Sequence, residues 1–491
     1  MDSLNAVETF FLPQTPTRLV THHVQYPKGT THVYSYFESR GGKFDETCFF
    51  GLQYIIKRWL LGPVVNAQMV RQAKYFYKVH FGGMDVFNEQ GWMHIVERHN
   101  GYLPVRIKAV PEGSVVGVRN VLFTVENTDP TVPWLTTWLE TLLLQHQLKS
   151  PETDNCRKPA GDFWVTRWSA IQIARLWLSW MHIRRENRLL EFQSAAIGGA
   201  AHLVNFVGTD TIPGLQLCRK YYHSPMSGFS IPAAEHSTIT SWQKSGESAA
   251  YLNMLEQFPV GLVSVVSDSY DIYNAVSCIW GDELKAYVME RADKGCLVIR
   301  PDSGDPTEVV LKVLNLLADK FPTTTNSNGY KVLPSYLRVM QGDGICLESL
   351  KEIIDGLKKE GWSVENVVFG TGGALLQKID RDTQRCAYKF LGSPSTMSST
   401  MSLNIHNGYN SYVTIQEGRG DENKDELVCV YENGRLLVDY SLDEIRQRAE
   451  ISLVRKFVNS NTAVKTSNNS TNGVARTPAS NGRQLRETSF R

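Results

Sequence analysis

A repeated pattern in the second half of the chain, from Leu262 to Gln377, most limits the folds that the sequence can adopt. A short apolar run is followed four times by a loop rich in carboxylates or glycines, and the runs are Val263–Val266, Leu297–Ile299, Leu337–Met340 and Val367–Phe369. The spacing between successive runs leaves room for a helix and two connections. Continuous apolar strands suit a parallel sheet that helices cover on both faces. The pattern therefore predicts alternating strands and helices.

Two further apolar runs precede this repeat, Ala195–Val207 before Asp210 and Phe229–Pro232 before His236. We interpret both as additional strands, which gives about six strand-and-loop units and leads to a closed or nearly closed barrel. In such a barrel the carboxyl ends of the strands form one rim, where the chemistry takes place. The fold prediction is therefore a parallel α/β barrel whose polar loops converge at one rim.

The segments that flank this region alternate between apolar and polar residues, which indicates antiparallel strands. The alternation covers Tyr34–Phe37 and Val105–Val125 on the N-terminal side, and Val428–Tyr431 and Leu436–Val438 on the C-terminal side. An Asn-Gly pair between the last two runs is typical of a tight hairpin. We expect the two sides to pair into one mixed, antiparallel β-rich domain beside the barrel.

These patterns divide the chain into several parts. Residues 1–150 and 381–457 are the N- and C-terminal parts of the β-rich domain, residues 151–194 are an atypical segment, residues 195–380 are the catalytic barrel, and residues 458–491 are a tail. The tail is rich in Asn, Ser, Thr and Gly, and this composition predicts disorder because little apolar surface is available for burial.

The atypical segment carries a stripe of tryptophan and arginine. Four tryptophans, Trp164, Trp168, Trp177 and Trp180, stand close to several arginines. Such a stripe suits a contact with nucleic acid or with a membrane surface. The helical spacing of its apolar residues favours instead a helix that packs in the core with its arginines in solvent.

Charge and cysteine content argue against several classes of function. The 51 Lys and Arg residues balance 50 Asp and Glu residues, so neither nucleic acid nor a membrane is expected as a partner. The N-terminus lacks the basic region of a secretory signal, and no apolar run is long enough to cross a bilayer. The 8 cysteines show neither CxxC nor Cys/His metal spacing. We therefore expect a cytoplasmic protein with reduced cysteines.

Arg300 and Asp302, directly after a predicted strand, are the sharpest candidates for ligand binding. A guanidinium there can hold a phosphate through two hydrogen bonds, and the carboxylate can bind a sugar hydroxyl or Mg²⁺. The alternative is an ion pair that only closes the rim. Asp268 and Asp343 share this rim, and several carboxylates around one cavity need a cation or ribose hydroxyls to offset their repulsion.

His236 and the turn Gly370–Gly373 each have a functional and a structural interpretation. A lone histidine is more often structural, whereas an imidazole at a strand end beside a carboxylate can act as acid, base or nucleophile. The glycines let backbone N–H groups approach a phosphate at a helix N-terminus, but they also suit a simple tight turn. The residues alone leave both questions open.

Seven short motifs, taken in order, resemble those of the nicotinamide phosphoribosyltransferases. They are Val33–Glu38, Gly208–Thr211, Pro232–Thr238, Ser267–Asp271, Ile299–Gly304, Gln341–Gly344 and Phe369–Gly373. The resemblance implies a barrel of the type II phosphoribosyltransferase kind and a homodimer with active sites at the subunit interface. It also implies that nicotinamide and phosphoribosyl pyrophosphate condense to nicotinamide mononucleotide and pyrophosphate, with ATP as co-substrate and Mg²⁺ as cofactor.

The resemblance implies a role for each matching residue. Asp210 would bind the amide of nicotinamide, and His236 would be phosphorylated by ATP while Asp268 orients it. Arg300 and Asp302 would hold the phosphoribosyl group. The remaining residues would bind ribose or phosphate groups: Asp343, Gly372, Gly373, Arg381, Lys389, and Arg40 of the partner subunit.

Two aromatic positions and one basic loop of the family are missing at the matching places. The family stacks the pyridine ring between two aromatic side chains. Here the first position falls in Pro16–Leu19, which has no ring, and the second falls in Arg184–Phe192, where the family's motif is absent. Residues 390–411 contain no Lys or Arg where the family has a basic loop. Two alternatives therefore stand beside the predicted enzyme: a nicotinate phosphoribosyltransferase, and a catalytically impaired binding or signalling protein of the same fold.

Overall fold

The structure is a computed structural model, which describes residues 20–42, 44, 46–81, 83–144, 168–170, 188–371, 385–391 and 425–450. These residues form a mixed α/β protein with a six-stranded parallel sheet and a six-stranded antiparallel sheet. One hydrophobic core surrounds Phe37 and Phe123 of the antiparallel sheet, and another surrounds Val263, Leu297 and Leu337 of the parallel sheet.

The strands and helices of the described residues have the following bounds. The strands are β1 (Tyr34–Ser39), β2 (Glu46–Cys48), β3 (Val105–Ala109), β4 (Val115–Gly117), β5 (Val121–Asn127), β6 (Trp168–Ala170), β7 (Gly208–Thr209), β8 (Gly261–Val266), β9 (Gly295–Arg300), β10 (Thr324–Thr325), β11 (Lys331–Val332), β12 (Leu337–Gln341), β13 (Val367–Gly370), β14 (Cys386–Leu391), β15 (Val428–Glu432) and β16 (Arg435–Leu436). The helices are α1 (His22–Gln25), α2 (Leu52–Ile55), α3 (Ala67–His80), α4 (Glu89–Arg98), α5 (Leu135–Trp138), α6 (Glu140–Leu144), α7 (Arg188–Asn205), α8 (Ile212–Tyr221), α9 (His236–Thr240), α10 (Glu247–Gln257), α11 (Ile272–Asn274), α12 (Lys285–Met289), α13 (Pro306–Lys320), α14 (Leu347–Lys359) and α15 (442–450). Helices α2 and α11 continue as the π-helical segments Ile56–Leu60 and Ala275–Glu283.

The parallel sheet has the strand order β7-β6-β13-β12-β9-β8. Its neighbouring strands all pair in parallel. Strands β8, β9, β12 and β13 coincide with the apolar runs of the central repeat, so this prediction is confirmed. Because the runs are buried between helices, they are apolar throughout rather than alternating.

Helix α13 shows how local sequence sets the connection after β9. The Asp305 side chain accepts the backbone N–H of Glu308 at 2.9 Å, and Pro306 is the first helical residue. Such an N-cap stabilises a helix start by about 1 kcal/mol. The helix then buries Val309 and Val313 on one face, as the spacing predicts.

The predicted strand over Ala195–Val207 is wrong, because most of these residues belong to α7. Helix α7 crosses α8 closely at two glycines. A Cβ on Gly199 would lie 2.8 Å from the Thr211 side chain, and a Cβ on Gly214 would lie 2.9 Å from the Gly199 backbone. The run is rich in alanine and glycine because two helix backbones approach each other there. Periodicity alone does not separate such a helix from a buried strand.

Phe229–Pro232 is not a regular strand either. Phe229 forms an isolated parallel bridge with Gly208 of β7, and Ala233 forms another with Ser264 of β8. Pro232 has no N–H group, so a continuous ladder of hydrogen bonds is interrupted between the two bridges. The segment nevertheless links the two outer strands of the parallel sheet.

Strand β6 lies within the tryptophan and arginine stripe and was not predicted from the sequence, whereas the helix prediction, which rests on the apolar residues Ile173, Leu176 and Trp180, stays a prediction. Residues Trp168–Ala170 are extended and pair with β13 on one side and β7 on the other. A strand of three residues is too short to show a period, and it is defined by its neighbours in the sheet. The other residues of the stripe up to 187 lie outside the described part of the chain.

The antiparallel sheet joins the two ends of the chain, with the order β14-β1-β5-β3-β15-β16. The prediction that the N- and C-terminal β segments share one sheet is confirmed by the pairs β1 with β14 and β3 with β15. The predicted hairpin joins β15 and β16. Its turn residues have positive φ, 48° at Asn433 and 83° at Gly434, as a type I′ turn requires.

Glu112 is a carboxyl group in the core beside the antiparallel sheet. Its side chain is buried, and its Oε1 accepts the N–H of Gln53 at 2.6 Å. Burial raises the pKa of Glu112 to about 7, against the opposing effect of the Gln53 hydrogen bond. Folding therefore makes this carboxyl harder to ionise.

We expect Glu112→Gln to stabilise the protein at about pH 8 and to have a smaller effect at about pH 4. Between its unfolded and folded pKa values, 4.5 and about 7, the native chain binds more protons than the unfolded chain. The stability that Glu112 contributes is thus present below the unfolded pKa and is lost as pH rises through the folded pKa. The expected gain at high pH is about 3 kcal/mol. Urea unfolding at both pH values measures it, with the exposed Glu290→Gln as control; an equal effect at both values would contradict the prediction.

Several other predictions concern the chain as a whole. In the part that the structure describes, no helix combines the length and apolar composition that a bilayer crossing needs. The described cysteines, which exclude Cys156, are free thiols. The described residues up to 449 group into one compact unit, and the domain boundaries proposed within it stay predictions. The tail from residue 458 lies outside the described residues.

Candidate active site

His236 lies between two carboxylates at the carboxyl end of the parallel sheet. Its Nε2 is 3.0 Å from Asp268 Oδ1, and its Nδ1 is 3.8 Å from Asp302 Oδ2. The same Asp302 oxygen is 3.1 Å from Nη2 of Arg300. The structure thus brings four of the predicted site residues into one continuous line of ionisable groups.

Two neighbouring strands and one short helix deliver these side chains. Asp268 follows β8, and Arg300 ends β9, whose register places Arg300 opposite Val266. His236 begins α9, shortly after Ala233 bridges to β8. Because parallel strands end at the same edge of a sheet, residues distant in sequence meet there.

The Asp268 carboxylate is held in place by the loop after β9. Its Oδ2 accepts the backbone N–H of Asp302 at 2.9 Å and the hydroxyl of Ser303 at 2.5 Å, while its Oδ1 faces His236. Its side chain is 3% exposed. Asp268 is therefore preset to orient the imidazole. Ser303 is not among the site residues predicted from the sequence, although it stands beside Asp302 in the motif Ile299–Gly304.

Arg300 is a buried cation with unused hydrogen-bonding capacity. Its side chain is 3% exposed, and its Nε finds no hydrogen-bond partner among the described residues. A buried donor without a partner costs free energy, and a guanidinium is well suited to bind phosphate or carboxylate oxygens. Arg300 can therefore hold an anion beside Asp302.

Asp210, in the loop after β7, faces the same region. Its Oδ1 accepts a hydrogen bond from the Ser230 hydroxyl. Partial burial raises the pKa of Asp210, while the Ser230 hydrogen bond and the positive charge of Arg300 act in the opposite direction. Asp210 is thus within electrostatic reach of Arg300, and an acceptor there suits an amide N–H and disfavours a carboxylate. Ser230 carried no signal in the sequence.

The other predicted site residues are more widely placed. Asp343 lies in the exposed loop after β12, where its carbonyl accepts the Gln341 amide at 3.0 Å. Arg40 directly follows β1 of the antiparallel sheet and pairs with Glu38 at 2.7 Å, and Lys389 is in β14 of the same sheet. Gly372, Gly373 and Arg381 lie outside the described residues.

Two family models match the sequence. Residues 11–107 match the nicotinamide phosphoribosyltransferase N-terminal domain, and residues 184–400 match the nicotinate phosphoribosyltransferase (NAPRTase) family. The nicotinamide phosphoribosyltransferase of Xanthomonas campestris pv. campestris (strain 8004) is 42% identical over 475 residues, which cover 89% of this chain and 98% of that protein. The nicotinamide phosphoribosyltransferase of Acinetobacter baylyi (strain ATCC 33305 / BD413 / ADP1) is 30% identical over 87% of this chain and 94% of its own length.

Two solved structures share the fold. The nicotinate-nucleotide pyrophosphorylase from Pyrococcus furiosus has a TM-score of 0.52 at 14% identity and covers 91% of this chain and 95% of that one. Human nicotinic acid phosphoribosyltransferase has a TM-score of 0.51 at 15% identity, with coverage of 93% and 94%. At these identities the likeness concerns the fold, whereas the sequence relatives match almost from end to end. The chain therefore belongs to the nicotinamide phosphoribosyltransferase family.

Proposed function

We propose that this chain, a phosphoribosyltransferase by family, condenses nicotinamide with phosphoribosyl pyrophosphate to nicotinamide mononucleotide and pyrophosphate in NAD salvage. The observation that carries the proposal is the line of Asp268, His236, Asp302 and Arg300 at one edge of the sheet. It combines a nucleophile, an orienting carboxylate and a buried cation. The names of the most similar relatives support the same reaction.

The transfer step uses charge stabilisation more than covalent chemistry. The ring nitrogen of nicotinamide attacks C1 of the ribose while the bond from C1 to the pyrophosphate oxygen breaks, and pyrophosphate leaves with the bonding electrons. Arg300 stabilises the negative charge on the phosphates, and Asp302 lies where positive charge develops on the sugar. Fixed charges in a site that excludes water lower such a barrier most effectively.

ATP is coupled through His236. With the Nε2 proton donated to Asp268, Nδ1 carries the lone pair of the neutral ring and can attack the γ-phosphorus of ATP. The N–P bond forms as the bond from phosphorus to the ADP oxygen breaks, and Asp268 stabilises the positive charge on the ring. Later hydrolysis of the phosphohistidine supplies free energy to an unfavourable condensation.

The donor atoms at this edge also fit Mg²⁺. This ion prefers carboxylate and phosphate oxygens and keeps several of its waters. Asp302, whose side chain is 11% exposed, offers a carboxylate next to the place where Arg300 would hold phosphates. When bound there, Mg²⁺ neutralises charge on the departing pyrophosphate. Asp302 and the substrate phosphates would hold it.

The remaining predicted features belong to the same proposal. The bridges of Phe229 and Ala233 to the outer strands support closure of the parallel sheet into a barrel of the type II phosphoribosyltransferase kind. At the rim, Asp343 and the glycines of the loop after β13 would bind ribose and its 5′-phosphate. In a cytoplasmic homodimer, three further cations would meet phosphates: Arg381, Lys389, and Arg40 of the partner subunit.

Mononucleotide formation by the purified protein tests the proposed function. We expect product from nicotinamide and phosphoribosyl pyrophosphate with Mg-ATP, and one pyrophosphate for each mononucleotide. If no pyridine substrate gave product while calorimetry showed saturable binding of nicotinamide, the protein would be a binding protein of the same fold rather than an enzyme. That alternative is motivated by the two missing aromatic positions.

Asp210→Asn is expected to weaken the preference for nicotinamide over nicotinate. The Asp210 carboxylate repels the carboxylate of nicotinate and accepts the amide N–H of nicotinamide, whereas a neutral asparagine removes the repulsion. The ratio of kcat/KM values for the two bases should shift towards nicotinate by about tenfold to hundredfold. Competition between labelled bases measures this ratio, with the exposed Asp282→Asn as control. An unchanged ratio of kcat/KM values would show that Asp210 does not contact the pyridine base.

A further inference from the structure

His94, His99 and Asp129 form a cluster of metal-binding side chains on the antiparallel-sheet part of the chain. His94 lies in α4, His99 directly follows this helix, and Asp129 follows β5. Asp129 Oδ2 is 2.8 Å from Nε2 of His94 and 2.6 Å from Nε2 of His99. All of these ligand atoms lie within 4.8 Å of one another. We propose that this cluster binds Zn²⁺.

The donor set selects the class of ion. Two imidazole nitrogens and one carboxylate suit Zn²⁺ and similar transition metals, whereas Mg²⁺ and Ca²⁺ prefer oxygen ligands. Zinc bonds of about 2.0–2.2 Å in a tetrahedron place neighbouring ligand atoms about 3.3 Å apart. The two measured separations therefore need to open by less than about 1 Å. The histidine side chains are 27% and 29% exposed, which leaves a solvent side where water can be the fourth ligand.

The carboxylate is already oriented by the backbone around it. Asp129 Oδ1 accepts the N–H of Thr131 at 2.7 Å, and the Asn127 amide donates to the Asp129 carbonyl at 2.8 Å. Contacts of this kind around a ligand typically strengthen metal binding by about tenfold to hundredfold. Only side-chain rotations of the histidines are then needed to form the site.

The protons balance without an additional group. Imidazoles that donate their Nε2 protons to Asp129 at these distances would have their lone pairs on Nδ1. When the ion binds, each ring carries its proton on Nδ1 and gives the Nε2 lone pair to the metal. No bond other than the two hydrogen bonds is lost. The ion would fasten the end of α4 to the loop after β5, and it would stabilise the folded chain because the unfolded chain lacks the site.

Zinc titration of the full-length protein tests this proposal. The protein is first treated with a chelator and dialysed, and calorimetry with ZnCl₂ is expected to show one saturable site per chain. His94→Gln and Asp129→Asn should each weaken this binding by about tenfold to hundredfold or more. His32→Gln, which removes a histidine of similar exposure that is paired with Glu126, should bind zinc as the wild type does. Circular dichroism confirms that each variant is folded.

Cobalt spectroscopy separates this site from the free thiols, of which Cys278 is exposed. Co²⁺ bound by histidine and carboxylate gives weak visible bands, whereas a thiolate ligand adds intense charge-transfer absorption. The proposal is overturned if the wild type has no stoichiometric site, if folded His94→Gln binds zinc unchanged, or if the tightest site shows the thiolate absorption. The titration of the wild-type protein can overturn the proposal by itself, so the test does not depend on the variants being folded. Turnover is not a readout, so the result is independent of the proposed enzyme activity.

Discussion

His236→Ala is expected to abolish the transfer of phosphate from ATP to the protein and to remove the stimulation of mononucleotide formation by ATP. In the proposed mechanism His236 is the nucleophile, because its imidazole has an orienting carboxylate, Asp268, at 3.0 Å and lies beside Asp302, the partner of the buried Arg300. Loss of a nucleophile and proton carrier of this kind should lower the rate with ATP by about 10²–10⁴-fold. Labelling with γ-labelled ATP and initial rates with and without ATP measure the two effects.

Two variants sharpen this experiment. His32→Ala removes a histidine that is paired with Glu126 on the other sheet, and it should leave both labelling and stimulation intact. Asp268→Asn keeps the imidazole but replaces the acceptor that sets its tautomer, so labelling should be slow rather than absent. Retained labelling or an unchanged ratio of rates in His236→Ala would show that ATP is coupled elsewhere.

Arg300→Ala is expected to lower both activity and stability. The substitution removes the cation proposed to hold the phosphates, so kcat/KM for phosphoribosyl pyrophosphate should fall by about 10³-fold. It also removes the guanidinium that lies 3.1 Å from the nearly buried carboxylate of Asp302. Removing one member of a buried pair typically costs about 3–5 kcal/mol, although the nearby His236 compensates for part of this. Steady-state kinetics and urea unfolding measure the two losses separately.

A buried arginine at the opposite end of the sheet provides a matched control. Arg291 donates to the carbonyl oxygens of Phe258 at 2.9 Å and Gly261 at 2.7 Å, near the amino end of β8. Arg291→Ala should therefore lower stability while KM for phosphoribosyl pyrophosphate is preserved. Arg300→Ala combined with Asp302→Asn should recover part of the stability but not the activity, because both charges of the buried pair are then removed. Equal kinetic losses in both arginine variants would mean that Arg300 is only structural.

The sequence predictions were accurate where the residues that determine an element are close along the chain, and they failed where remote residues determine it. Strands β8 and β9 and helix α13 were predicted well because apolar runs, Asp305 and Pro306 act within a few residues. Helix α7 was mistaken for a strand, since its alanines and glycines serve a close crossing with α8. Strand β6 was missed because its pairing with β7 and β13 defines it.

In the candidate site, too, nearby residues could be recognised from the sequence, whereas contacts between remote residues could not. His236, Asp268 and Arg300 could be selected because each stands where a predicted strand leads into a loop. Ser230 and Ser303 could not be assigned to partners, because each hydroxyl acts on a carboxylate more than fifteen residues away. The unused Nε of Arg300 and the pairing of Asp129 with two histidines are likewise properties of packed atoms.

By itself, the amino-acid sequence determined the family, the strands and helices of the central repeat, and the types of side chain available for chemistry. Local patterns carry this information, because caps, turns and apolar periods involve residues that are close along the chain. Only the tertiary structure decided which strands are neighbours, that α7 is a helix, and that Asp268 and Asp302 flank His236. Those outcomes depend on distances and burial that arise when remote segments pack together, and no local pattern encodes them directly.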